Sequence, residues 1–172
     1  MEFFEVVKSR HSIRAFSAKP IEAEKWRAIL DAANHAPSAG NLQAYEVFEV
    51  RRRALLEALA RAALDQEFIA QAPVALVFCA HPSRSAPRYG RRGVSLYCIQ
   101  DATIACAYAQ LAGTGLGLAS VWVGAFDDNE VRKTIGIGQD LVPVAVLPIG
   151  YAAEKPEGTR RRSISELVHP VE

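Results

Sequence analysis

Residues 73–82 read Pro-Val-Ala-Leu-Val-Phe-Cys-Ala-His-Pro. The stretch from Val74 to Ala80 is apolar throughout and stands between two prolines. A strand with one wet face would alternate apolar and polar side chains, and this one does not. It predicts a central strand covered on both sides.

Working outward, Tyr45–Val50 predicts a second strand, and Ala54–Leu64, rich in Ala and Leu, a helix between the two. Ahead of them lie a short amphipathic helix carrying Phe3, Val6 and Val7 and ending near Arg10, and a second helix after Pro20. That second helix places Trp26, Ile29, Leu30 and Ala33 at helical spacing. It runs out before Pro37, because the residue ahead of a proline disfavours helix.

On the other side, 81–93 has two prolines, the arginines Arg84, Arg88, Arg91 and Arg92, and no hydrophobic period. It reads as an exposed, mobile loop and, by its length, as a candidate active-site lid. Ser95–Ala112 is helical and apolar nearly all round, so it must be buried in the core or against a second subunit. Ala119–Val123 reads as a short strand, Asn129–Ile135 as a helix, Val142–Ile149 as a strand, and a basic tail follows. Strands and helices interleave without a βαβ rhythm. This favours an α+β sheet covered by helices over a doubly wound parallel fold.

A chain of 172 residues, 50% of them apolar, fits one domain over 1–172. The net charge of +1 gives no reason to expect nucleic acid or an acidic membrane surface as the main partner. Glu2, Glu5 and Lys8 break up any secretory signal, and the apolar stretch from Ala102 to Ala112 is shorter than the roughly 18 residues a membrane span needs. A soluble, cytoplasmic protein is expected. Cys79, Cys98 and Cys106 are odd in number and form no C-x-x-C pair. They read as buried thiols in a reducing compartment, in preference to a disulfide or a metal site.

Four segments could carry chemistry. Arg10-His11-Ser12-Ile13-Arg14 sets two guanidinium groups and a hydroxyl within five residues, a donor set suited to an anion. A solvated basic turn is the competing reading. Pro37-Ser38-Ala39-Gly40-Asn41-Leu42-Gln43 offers amide donors and acceptors on a small-residue loop, or is an ordinary turn before a strand. Val121-Trp122-Val123-Gly124-Ala125-Phe126 ends a strand in exposed backbone N–H groups that could face a flat ligand, although core aromatics are the commoner explanation. Arg160-Arg161-Arg162 is a charge run that matters only if it meets the first segment at a shared phosphate.

Other signals fail. Gly113-Thr114-Gly115-Leu116-Gly117 follows a helix and lacks dinucleotide-loop spacing, so it reads as a helix stop. The four histidines have no metal-site companions. Ser95 is not in a nucleophile elbow, and Asp101 reads as a paired buried carboxylate. With no nucleophile–base set, an enzyme of this composition would need a cofactor for its chemistry.

Taken in order, the R-H-S-I-R-A-F opening, the A-P-S-A-G-N-L-Q segment, the Gly124 strand end and the Arg-rich tail resemble the compact members of the nitroreductase family of FMN oxidoreductases. The resemblance spans essentially the whole chain. It implies a helix–sheet–helix sandwich with a mixed or antiparallel sheet, in an intertwined homodimer with two composite sites. It further implies that Arg10 and Ser12 hold the phosphate and ribityl end of FMN, that the His11 backbone lines the site, and that Arg14 sits at the pyrimidine edge. Pro37, Ser38, Ala39 and Asn41 would reach a flavin held mainly by the other subunit. The Gly124 N–H would face N5 with Ala125 beside it, Gln66 would contact the pyrimidine ring, and Arg161 or Arg160 would close on the phosphate.

The resemblance implies hydride transfer from NAD(P)H through the flavin to a nitroaromatic, quinone or similar small acceptor, in ping-pong fashion. The alternatives are a specialised reaction, reductive dehalogenation or flavin breakdown, or a flavin-binding module without turnover. Two departures bear on substrate range. Ala44-Tyr45 stands where the family commonly has Pro-Trp, and Gly124-Ala125 where larger members have Glu-Gly.

Overall fold

The computed structural model describes residues 2–171; residues 1 and 172 of the expected domain lie outside the described residues. In chain order the elements are α1 (Phe3–Ser9), α2 (Ala23–Asn34), β1 (Tyr45–Val50), α3 (Arg53–Ala62), α4 (Phe68–Gln71), β2 (Val74–Ala80), α5 (Pro82–Arg92), α6 (Cys98–Gly115), β3 (Ala119–Ser120), α7 (Asp128–Ile135), β4 (Val142–Gly150) and α8 (Ile164–Leu167).

Every residue of β2 is buried, and the sheet order β1-β2-β4-β3 puts it inside, with all strand ladders antiparallel. Its side chains alternate between two cores. Val74, Leu76, Phe78 and Ala80 join Ile29 of α2 and Ala102, Ala105 and Cys106 of α6. Ala75, Val77 and Cys79 join Leu56 and Leu59 of α3, Ile69 of α4 and Val131 of α7. A strand with a helical layer on each side has no face left for polar residues, which is why its sequence shows no alternation. The architecture is the expected α+β helix–sheet–helix sandwich.

The segment 81–93 corrects the sequence reading: it is a helix. Pro82 occupies the first helical turn, where its missing N–H costs nothing. Pro82, Ser85, Ala86 and Tyr89, at helical spacing, form the inward side of α5 and are buried or half-buried, while Ser83, Arg84, Pro87 and Arg88 are exposed. The helical period was therefore present, but in small and polar residues that carry no hydrophobic signal. Gly90 breaks the helix with φ +52°. A π-helical turn, Gly93–Tyr97, leads without a break into α6, so Ser95–Ala112 is helical as expected, its first three residues in the π-helical turn.

The third strand is also shorter than expected. After Ala119–Ser120 only a single bridge, Val123 to Val146, continues the pairing. No helix of the described residues is long and apolar enough to cross a membrane.

Candidate functional site

At the β3 edge, the first motif runs as an extended segment beside the sheet. Ser12 bridges Ser120 in parallel, the Ile13 N–H donates to the Ser120 carbonyl at 3.1 Å, and Phe16 bridges Ala152. Extended backbone points alternate side chains apart. Ile13 is buried, whereas Ser12 and Arg14 face an open cleft of about 450 Å³ that they share with Glu154, Lys155, Pro156, Glu157 and Thr159. His11 goes the other way: it lines a separate depression with Ser9, Ile13 and Thr114, its Nδ1 2.8 Å from the Ser9 carbonyl. Arg10 caps α1 and is half-buried.

Around Arg14 the fold gathers residues from two further segments. Its guanidinium lies 6.0 Å from the centre of the Phe68 ring. Two residues before Phe68, Gln66 donates its Nε2 to the carbonyls of Ala63 at 2.8 Å and Ala125 at 3.1 Å. That leaves Oε1 as a fixed acceptor. Gly124 and Ala125 are exposed at the end of the strand segment, and the Gly124 N–H has no hydrogen-bond partner among the described residues. Phe68 was not singled out from sequence. Its only sequence signal was position, at the start of a four-residue helix too short to show a period.

At the opposite edge of the sheet lies the loop before β1. Gly40 (φ +57°), Asn41 (φ +57°) and Gln43 (φ +47°) are left-handed, a conformation that costs non-glycine residues roughly 1–2 kcal/mol each. Several bonds hold it. The Ser38 hydroxyl accepts from the Gln43 N–H at 2.9 Å. The buried Asp101 carboxylate of α6 accepts from the N–H of Ala39 at 2.9 Å and of Ala44 at 3.3 Å. Arg88 of α5 donates to the Gly40 carbonyl at 3.2 Å. A Cβ at Gly40 would stand 2.5 Å from the Tyr89 hydroxyl, so the Tyr89 and Arg88 side-chain ends rest directly on this glycine, whose left-handed φ itself favours glycine. Pro37, Ser38 and Ala39 line a cleft of about 430 Å³ with Tyr97, Gln100, Asp101, Thr103 and Ile104.

The two motifs do not meet in one chain. From Ser12 the path crosses β3, β4 and β2 to β1, four strand spacings or ~19 Å. Ser12 is level with Val74 through Ser120 and Ile149, while the loop joins the sheet at Ala80, about six residues or ~20 Å further along. The tail contributes Glu154 to Thr159 to the Ser12 cleft, and Arg160 and Arg161 follow directly, both exposed.

The donor set at the β3 edge suits a flat, polar, phosphorylated heterocycle. Arg10 and Arg14 have no carboxylate ion-pair partner among the described residues, and the Arg14 N–H already takes an oxyanion, Glu154 Oε1, at 2.5 Å. FMN fits the groups gathered here: the Arg14 guanidinium as a cation, the Gln66 amide oxygen as acceptor for a ring N–H and the Gly124 N–H as donor to a ring nitrogen. Lys155 is the other cation lining the Ser12 cleft, and Arg10 is not among its lining residues. No cluster of three or more His, Cys, Asp or Glu among the described residues could hold a metal ion. Burial raises the pKa of all three thiols, Cys79 to about 12.

Comparison with known proteins identifies the family and the fold. The nitroreductase family model matches residues 7–67 and 61–151. A protein of Methanothermobacter thermautotrophicus, provisionally named an NADH dehydrogenase/NAD(P)H nitroreductase, is 31% identical over 98% of this chain and 86% of its own. The FMN reductase [NAD(P)H] of Bacillus subtilis is 30% identical over 88% of this chain and 67% of its own. Among solved structures, the NADPH:FMN oxidoreductase of Vibrio harveyi complexed with NAD+ superposes with a TM-score of 0.90 at 25% identity, over 99% of this chain and 77% of that one. The family match covers most of the chain and the fold repeats that of solved members: the protein belongs to the nitroreductase family.

Proposed function

We propose that the protein is an FMN-dependent NAD(P)H oxidoreductase acting as a homodimer with two composite sites. The observation that carries this reading is the separation of the two motifs. A single chain holds Ser12 and Arg14 at one sheet edge and the 37–41 loop at the other, so a ligand touching both needs two copies. The outward side of α6 supports a second copy as the occupant: Tyr108 is exposed there, with Ile104 and Leu111 half-buried beside it at helical spacing.

Each residue has a role in this reading. Arg10, Ser12 and one of Arg160 and Arg161 hold the phosphate and ribityl end. Arg14 places its positive charge at the pyrimidine edge, where Gln66 Oε1 accepts a ring N–H, and Phe68 limits where the guanidinium can go. Gly124 N–H, beside Ala125, faces the reacting ring nitrogen. The His11 backbone completes the segment. Pro37, Ser38, Ala39 and Asn41 of the second copy close the site from the far side, on a loop that Asp101 keeps rigid. FMN bound there supplies hydride acceptance from NAD(P)H and hydride return to a small acceptor such as a quinone or nitroaromatic. A preorganised cation near developing negative charge is the protein's main electrostatic contribution. Donor and acceptor would use one open face in turn, giving ping-pong kinetics, in the cytoplasm where NAD(P)H is supplied.

The test is a mixing experiment. An Arg14→Ala chain and an Asn41→Ala, Ser38→Ala chain are combined by co-expression with different tags. Mixed dimers keep one unmutated site each, so they should recover about half the parent's turnover, while each homodimer falls well below it. Recovery absent from properly formed mixed dimers, or full turnover in a sedimenting monomer, would sink the composite site.

A further inference from the structure

We infer that the substrate face of this site selects molecules carrying an anionic group, a phosphate or a carboxylate, through Arg88 and Arg92. This inference rests on the flavin reading above and names the substrate class of the same site. From residue 68 to residue 100 the chain has four arginines and no aspartate or glutamate. Only Arg84 is ion-paired among the described residues, to Glu46 at 3.1 Å. Arg88, Arg91 and Arg92 have no carboxylate within ion-pair distance among the described residues.

Two of them are also held in place beside the cleft at the 37–41 loop. Arg92 donates its Nε to the Tyr97 hydroxyl at 3.0 Å and stacks over that ring at 5.4 Å, and Tyr97 lines the cleft. Arg88 donates to the Gly40 carbonyl and lies over Tyr89 at 5.4 Å, and Tyr89 packs edge-on against Tyr97 at 5.1 Å. Tyrosine rings and a carbonyl thus fix two guanidinium groups without neutralising them. The remaining acid of the cleft, Asp101, is buried and committed to the N–H groups of Ala39 and Ala44. A cation fixed in advance loses little freedom on binding an anion, and each guanidinium keeps N–H donors free to do so.

Two sources share this chemistry: the 2′-phosphate of NADPH on the donor side, and an acidic acceptor such as a nitrobenzoate. The experiment compares kcat/KM for NADPH against NADH with menadione as acceptor, and for 4-nitrobenzoate against 4-nitrotoluene with NADH as donor. In the parent, at least one anionic member of a pair should be preferred, and the preference should shrink as salt screens it. In the FMN-loaded Arg88→Gln, Arg92→Gln dimer that ratio should fall about tenfold, within the scale of two partly exposed charge contacts. Lysine at both positions should restore most of it, and Arg91→Gln should leave it near the parent value. The pair that responds identifies the source.

A parent with no salt-sensitive anion preference in either pair overturns the inference without any variant being needed. So does an equal fall in Arg91→Gln, or failure of lysine to rescue. If the parent binds FMN and turns over while the ratios stay flat, only the anion selection is lost; if it neither binds FMN nor oxidises NAD(P)H, the flavin reading fails first.

Discussion

Replacing Asp101 tests whether a buried charge can be justified by the loop it holds. The carboxylate is 1% exposed and has no cationic partner among the described residues. Its compensation is two backbone N–H groups, one at 2.9 Å and one at a longer 3.3 Å. Hydrogen bonds to a charged group contribute about 1.5–3 kcal/mol each, and the longer one belongs at the low end. Against this stands the desolvation of a buried carboxylate, several kcal/mol. Asp101→Ala relieves that cost but strands two N–H groups, one fully buried, so a net loss of about 3 kcal/mol is expected. Asp101→Asn keeps one acceptor oxygen but turns an amide N–H toward the second donor, and about 1–2 kcal/mol should be lost. Urea unfolding of the three proteins, with unchanged m, reads the order directly. A variant as stable as the parent, or an asparagine form more stable than it, would refute the claim that the loop's hydrogen bonds outweigh burial of the charge.

Two further outcomes follow from the same structure. Arg10→Ala removes a guanidinium that has no carboxylate partner among the described residues, and FMN affinity in a fluorescence titration should weaken by roughly tenfold or more; unchanged affinity removes Arg10 from the site. Burial holds the Cys79 pKa at about 12 and raises those of Cys98 and Cys106. The thiols should therefore resist a disulfide reagent at pH 8 in the native state. Their contribution to stability is fully present below the unfolded thiol value of about 8.5 and is lost as pH climbs from there through about 12; rapid labelling at pH 8, or stability that does not decline across that window, would contradict the burial.

Most of the fold was legible because its signals are local. The β2 run and its flanking prolines marked the central strand to the residue, and Tyr45–Val50 likewise. The α5 helix was illegible because Pro82, Ser85, Ala86 and Tyr89 give its buried side no hydrophobic contrast, and Pro87 argues against a helix on its own. At the site, the resemblance supplied Arg14, Gln66 and Ala125 as separate positions. Folding shows Gln66 bonded to the Ala125 carbonyl and Arg14 over Phe68, contacts between distant segments that no spacing rule reveals. The same is true of Arg88 reaching Gly40 across 48 residues. Asp101 was expected to be paired; its partners proved to be backbone N–H groups, which leave no trace in a sequence.

The most direct test of the central claim is an anaerobic visible spectrum of the purified chain reconstituted with FMN. Addition of NADH or NADPH should bleach the bound flavin's absorption, and subsequent menadione or a nitroaromatic should restore it, with one FMN per chain and dimeric mass by sedimentation. A protein that stays colourless at micromolar FMN would contradict the account, as would one whose bound flavin is untouched by both nucleotides.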